Sequence, residues 1–216
     1  MSRGRVSGQL KLFSAFKMLG EKKEKFKKIS EKIGNFFAIF KLHPNFYTLI
    51  SLFFGLFCFL SLVKNSLVAG LIYFFLATIS DFIDGAVARA SQKVTEVGAY
   101  LDTICDRYVE FLVFFGFLFL CLPKVFLPAN FWIFLCLFGS LMTTYSKAAA
   151  KEKEIIKEEL KRGLFERPER TILIFLAMIL AIFNPIWTVY TLIIFAILSN
   201  FTAFQRIYFA FKLTKS

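Results

Sequence analysis

Residues 171–205 contain no Asp, Glu, Lys or Arg, and further uncharged runs cover 42–63, 65–80, 111–123 and 125–146. A spanning helix needs about 20 mostly apolar residues, and backbone left unpaired in hydrocarbon is costly, so runs of this length restrict the chain to membrane helices. Composition agrees. Of the 216 residues 57% are hydrophobic and 31 are Phe, and the mean hydropathy is +0.64. The expectation is an all-α integral membrane protein. Asn184-Pro185 divides the longest run into two helices, because proline removes a backbone donor and breaks a helix. The runs 65–80 and 111–123 reach spanning length only if the acidic stretches beside them are helical too. This gives six transmembrane helices, near 43–63, 66–89, 97–121, 127–150, 168–184 and 186–207.

The basic residues support an even count. Cytoplasmic loops collect Lys and Arg, and residues 1–43 carry 11 of them, 84–107 three, 147–170 eight and the tail from 206 three. With both termini inside, 25 of the 27 fall on the cytoplasmic face and only Lys64 and Lys124 lie opposite. The net charge of +12 therefore points to anionic lipid rather than nucleic acid.

Residues 20–42 mix charges with Phe26, Ile29, Ile33, Phe36, Phe37 and Phe40 at helical spacing, as an interfacial amphipathic helix does. Residues 1–20 lack the continuous apolar run of a signal peptide, so the first span is expected to direct insertion. The domain reading is a cytoplasmic amphipathic juxtamembrane segment, 1–42, and a six-helix membrane catalytic domain, 43–216. Cys58, Cys105, Cys121 and Cys136 are dispersed and read as small packing residues. A single histidine, His43, rules out a Ser-His-Asp triad and a multi-histidine metal site.

Chemistry concentrates in DFIDGAVARASQKVTEVGAYLDTICD, residues 81–106. On helices, Asp81, Asp84 and Ala88 form one stripe and Gly98, Asp102 and Asp106 another. Intramembrane acids are expensive unless paired, neutralised or bound to a cation, so they mark a functional site. Ion pairing with Arg89, Lys93 and Arg107 is the plain structural alternative. An all-oxygen donor set favours Mg²⁺ or Mn²⁺, and such ions are held by a few carboxylates together with substrate phosphates. The expected substrate class is a pyrophosphate-containing molecule at the membrane surface.

The pattern Asp81-x-x-Asp84-Gly85-x-x-Ala88-Arg89, eight residues, Gly98, three residues, Asp102, three residues, Asp106 resembles the full signature of the CDP-alcohol phosphotransferase family. The resemblance implies a six-helix enzyme that moves a phosphatidyl-type group from a CDP-linked lipid, CDP-diacylglycerol or CDP-archaeol, to an alcohol and releases CMP. It implies that Asp81, Asp84, Asp102 and Asp106 ligate two metal ions, with Asp106 also the general base. It further assigns Gly85, Arg89 and Thr95, with the Pro44-Asn45-x-x-Thr48 segment, to contacts with the CDP moiety, and it implies a homodimer.

The signature does not select the acceptor. Thr144-Tyr145-Ser146-Lys147-Ala148 resembles the SYxKA segment of phosphatidylinositol-phosphate and archaetidylinositol-phosphate synthases. Gly163-x-x-Glu166-Arg167-x-x-Arg170 resembles their GxxERxxR, and Gln205-Arg206 a Q-R pair late in the sixth span. Lys147, Arg167 and Arg206 would then bind a phosphate on the acceptor, which favours inositol 1-phosphate. Arg170 reads as structural. The alternative is that all four are positive-inside residues snorkelling to headgroups. One departure is Ala149, where the subfamily has a second basic residue, and glycerol 3-phosphate is the alternative acceptor. Two other classes use intramembrane acids. A prenyltransferase would need a larger bundle, and a cation-coupled transporter would place its acids at the midplane of paired repeats.

Overall fold

The computed structural model describes residues 28–40, 42–155, 163 and 165–213. Among these the regular structure is helical, with one isolated bridge between Val125 and Leu127 in the loops. The helices are α1 (28–38), α2 (Pro44–Val63), α3 (Leu67–Ala90), α4 (Glu96–Phe117), α5 (Ala129–Glu152), α6 (Arg167–Phe183) and α7 (Pro185–Leu213). Four of them, α2, α3, α5 and α7, are long and apolar enough to cross a membrane. By the same measure α6, with 17 residues, is short, and α4 carries Glu96, Asp102, Asp106, Arg107 and Glu110 along its length.

Helix ends follow local chemistry. Pro185 opens α7 directly after the α6 cap at Asn184, whose N–H bonds to Leu180 O at 2.7 Å; a proline at the first helical position gives up a donor that has no partner there anyway. The α4 helix stops at Phe117 rather than near 121. Leu118 and Phe119 donate three residues back, to Phe115 and Gly116, the tightened turn of a fraying helix end ahead of Pro123. Conversely α7 continues past 207 to Leu213. Gln92, at φ 55°, closes the end of α3, with Lys93 N donating to Ala88 O at 3.0 Å. This left-handed residue and six-to-one bond are the usual helix stop.

The chain divides into two compact units. The first comprises the described residues up to Leu49 together with Ile79–Asp102. Its small core is Tyr47, Ile83 and Val87, flanked by Ile33 and Phe37 of α1. Gly34 makes this packing close: a Cβ there would lie 2.3 Å from Ala86 O. Ile29 and Phe36 of α1 and Phe40 of the turn after it stay exposed, leaving an apolar face beside the exposed Lys28, Glu31 and Lys32. Residues 1–27, which include Phe26 of the expected amphipathic segment, lie outside the described residues.

The second unit comprises Ile50–Thr78 and the described residues from Thr103 onward. Its core runs through Cys58, Leu62, Phe74, Phe114, Phe117, Met178 and Phe195. Here α7 lies against α5 and α6. Gly139 permits the approach of α7, where a Cβ would come 2.3 Å from Ser199 Oγ, as small residues do at membrane-helix contacts. Cys58, Cys105 and Cys136 are buried and Cys121 exposed, and none of the four forms a disulfide.

Candidate active site

In the first unit the starts of α2 and α4, the end of α3 and the 91–95 turn enclose a cleft of about 320 Å³. Pro44, Asn45 and Thr48 line it from α2, Asp84, Gly85, Ala88 and Arg89 from α3, and Thr95, Gly98 and Asp102 from the turn and α4. All six residues to which the resemblance gives CDP contacts border this one space.

Each is held by a local device. Thr95 caps α4, its Oγ1 accepting from Gly98 N at 3.0 Å, a hydroxyl satisfying one of the orphan donors of a helix start. Gly98 leaves the gap in which Asn45 Oδ1 and Thr95 Oγ1 sit, 3.2 and 3.0 Å from where a Cβ would be. At Gly85 the missing side chain admits the Arg89 guanidinium, 3.3 Å from the same virtual position. Arg89 Nη2 donates in turn to the buried Ser30 Oγ of α1 at 2.9 Å.

The acids divide into distinct environments. Asp84 is buried at 6% exposure, and Thr48 Oγ1 donates to its Oδ2 at 2.7 Å. Asp81 and Asp102 are half-buried and offer carboxylate oxygens within 4.8 Å of each other. Two carboxylates at that distance repel unless a positive charge intervenes, and their oxygens are the donors a hard divalent cation takes. The residues present therefore fit a metal ion. Asp106 follows Asp102 one turn further along α4.

In the second unit Asp106 accepts a charge-assisted hydrogen bond from Arg167 Nη2. Arg167 is the first residue of α6, a start held by Glu169, whose Oε2 accepts from Glu166 N at 3.1 Å. Arg206 on α7 donates through Nη1 to Thr143 O and lies 3.9 Å from Glu166 Oε1. Gly163 stands beside it; a Cβ there would be 3.3 Å from Arg206 Nε and Nη2 and 2.9 Å from Thr202 Cγ2. Arg206 Nε and Thr202 Oγ1 are buried with no hydrogen-bond partner among the described residues. Lys147 is half-buried on α5.

Arg170 and Arg206 are only 6% and 9% exposed, so neither snorkels toward headgroups. Arg170 Nη1 bonds Ser140 Oγ at 2.7 Å and Thr143 Oγ1 at 3.1 Å. Its neighbour Glu110, 8% exposed, is a buried acid that the sequence reading passed over. It accepts from Arg107 at 2.5 Å and from Ser140 Oγ at 2.5 Å. The signal was available, since Gly98, Asp102 and Asp106 extend at the same four-residue step to Glu110.

A family model for CDP-alcohol phosphatidyltransferases matches residues 41–204. An archaetidylinositol phosphate synthase from Pyrococcus horikoshii is 36% identical over 152 residues, covering 69% of this chain and 73% of the relative. A bifunctional IPC transferase and DIPP synthase from Aquifex aeolicus is 35% identical over 138 residues, 61% of this chain. The match covers only 30% of that longer relative. The crystal structure of Mycobacterium tuberculosis phosphatidylinositol phosphate synthase with CDP-DAG bound is similar with a TM-score of 0.73 at 25% identity, covering 85% of this chain and 94% of that one. The same enzyme in complex with manganese and citrate gives 0.69 at 26%, covering 84% and 88%. The chain belongs to the CDP-alcohol phosphatidyltransferase family.

Proposed function

We propose that this protein transfers the phosphatidyl-type group of a CDP-linked lipid to a hydroxyl of inositol 1-phosphate and releases CMP. One observation carries the reading: Asp84, Gly85, Ala88, Arg89, Gly98 and Asp102 of the signature border a single cleft with the start of α2, and the Asp81 and Asp102 oxygens lie within 4.8 Å. The relatives named as inositol phosphate synthases, one of them solved with CDP-DAG, support the donor and acceptor classes.

In this reading Asp81, Asp84, Asp102 and Asp106 hold two divalent ions, Mg²⁺ or Mn²⁺, which would supply positive charge to the donor diphosphate. Asn45, Thr48, Gly85, Arg89 and Thr95 bind the CDP moiety. The acceptor hydroxyl attacks the lipid-bearing phosphorus, its proton passes to Asp106, and the bond to CMP breaks. Lys147, Arg167 and Arg206 hold the acceptor's phosphate. The buried Arg206 Nε and Thr202 Oγ1, without partners among the described residues, support an oxyanion at that point.

The architecture proposed with this chemistry is six spans in a cell membrane. α4 and α6 cross with the other four, their acids and arginines turned inward, and the catalytic face is cytoplasmic. The biological unit is a homodimer, with 1–42 as juxtamembrane segment and 43–216 as catalytic domain. The test is CMP release from purified full-length protein given Mg²⁺, a CDP-lipid carrying diacylglycerol or archaeol, and either inositol 1-phosphate or glycerol 3-phosphate. Turnover with inositol 1-phosphate alone is expected. Turnover with glycerol 3-phosphate alone reassigns the acceptor, and no CMP with either one overturns the enzyme reading.

A further inference from the structure

We propose that Glu110, Ser140 and Arg170 are positioning residues that orient Arg206 for the acceptor's phosphate, acting through Thr143. The proposal rests on the acceptor reading above and concerns residues that reading does not use.

The chain of contacts is continuous within the second unit. Glu110 Oε1 accepts from Ser140 Oγ at 2.5 Å. Ser140 Oγ accepts from Arg170 Nη1 at 2.7 Å and from Arg107 Nη1 at 3.2 Å. One hydroxyl thus uses its single proton toward the carboxylate and its lone pairs toward the two guanidinium groups, which fixes its orientation. Arg170 Nη1 continues to Thr143 Oγ1 at 3.1 Å, and Thr143 Oγ1 donates to Ser140 O at 2.7 Å. Thr143 O then accepts from Arg206 Nη1. Glu110, Ser140, Thr143, Arg170 and Arg206 are all at least nine-tenths buried.

A buried ionic network holds helices together no better than well-fitted apolar side chains would. What it supplies is direction. With Nη1 fixed on Thr143, the opposite edge of the Arg206 guanidinium, Nε and Nη2, lies beside Gly163, whose missing side chain leaves it unobstructed by a Cβ. That edge is the fork that takes two oxygens of a phosphate. Nε has no hydrogen-bond partner among the described residues, and Glu166 Oε1 is 3.9 Å from Nη2, too far for a hydrogen bond. Arg206 is therefore held at Nη1, while its buried Nε keeps an unused donor among the described residues. Without Ser140 Oγ, or without the Glu110 carboxylate that orients it, Arg170 Nη1 loses the hydroxyl that holds it against Thr143 Oγ1, and the fork loses its aim.

The test uses full-length protein in nanodiscs with Mg²⁺, CDP-diacylglycerol and inositol 1-phosphate, comparing Ser140→Ala, Glu110→Gln and Arg206→Ala. Ser140→Ala and Glu110→Gln are expected to raise the acceptor KM about tenfold, the effect of losing one buried hydrogen bond, with the donor KM within about twofold. Calorimetric affinity for inositol 1-phosphate should fall in parallel. If Glu110→Gln does not fold, Ser140→Ala decides. An equal rise in both KM values, or a loss of kcat alone, assigns the network to fold stability and overturns the proposal. A raised acceptor KM in Arg206→Ala beside an unchanged one in Ser140→Ala overturns the positioning role alone. An unchanged KM in Arg206→Ala overturns the acceptor reading and this proposal together.

Discussion

Arg167 donates to Asp106, the carboxylate to which the family signature gives the proton-accepting role. The bond fixes the carboxylate from α6. Asp106→Asn keeps the shape and removes the basicity. It is expected to lower turnover by about 10²–10⁴-fold, the usual contribution of a general base, with CDP-lipid affinity largely retained. Rates of CMP release and donor titration check this; equal loss of both would leave Asp106 as a metal ligand only.

Removing the divalent ions should stop turnover reversibly. Asp81 and Asp102 offer oxygens within 4.8 Å, and without a cation that arrangement is repulsive. Chelation is expected to abolish CMP release and lower the melting temperature. Readdition of Mn²⁺ or Mg²⁺ should restore both, and a melting curve indifferent to chelator would argue against a metal at these acids.

Thr48→Val keeps the volume and deletes the hydroxyl that donates to Asp84 at 2.7 Å. A buried carboxylate deprived of a donor costs about 1–3 kcal/mol. Donor affinity should weaken roughly tenfold, and the acceptor KM should stay near its original value. Separate titrations of the two substrates measure the split.

Gly34→Val places a branched side chain where a Cβ alone would come within 2.3 Å of Ala86 O. Overpacking of this kind costs about 1–3 kcal/mol. The helix α1 should separate from α3, releasing Ser30 from Arg89. Limited proteolysis near residues 28–40 should accelerate, and the donor KM should rise; unchanged cleavage would show that α1 is held elsewhere.

Gly163→Val presses on Thr202 Cγ2 and on the Nε and Nη2 edge of Arg206. The expected outcome is a raised KM for inositol 1-phosphate without change in the donor KM. Steady-state kinetics with each substrate varied in turn decide it.

The helix plan was legible because it rests on local signals. Uncharged runs, Pro44, Pro185 and the turn after Ala90 are one-dimensional features, and the observed helices begin and end within a few residues of them. The exceptions were the end of α7, which runs on to Leu213, and the end of α4, where Phe-Leu-Phe-Leu continues the apolar pattern but Gly116 and Pro123 govern the backbone. Site residues with fixed spacing were legible for the same reason. Residues whose role depends on a distant partner were not. Nothing in sequence links Thr48 to Asp84, 36 positions away, Ser30 to Arg89 or Ser140 to Arg170. Arg170 read as structural because a basic residue near a span is usually a positive-inside charge, and only its burial separates it from that class. Glu110 was passed over because the signature ends at Asp106.

Glu110 also governs how α4 can turn. A helix advances about 100° per residue, so Asp106 and Glu110 sit about 40° apart around its axis. Ser140 on α5 grips Glu110 directly, and Arg170 on α6 stands 3.8 Å from it. A roll of α4 by one residue would break that grip and swing Asp106 away from Arg167 in the same movement. The deeper acid thus acts as a rotational key, fixing the azimuth at which Asp106 one turn away is presented.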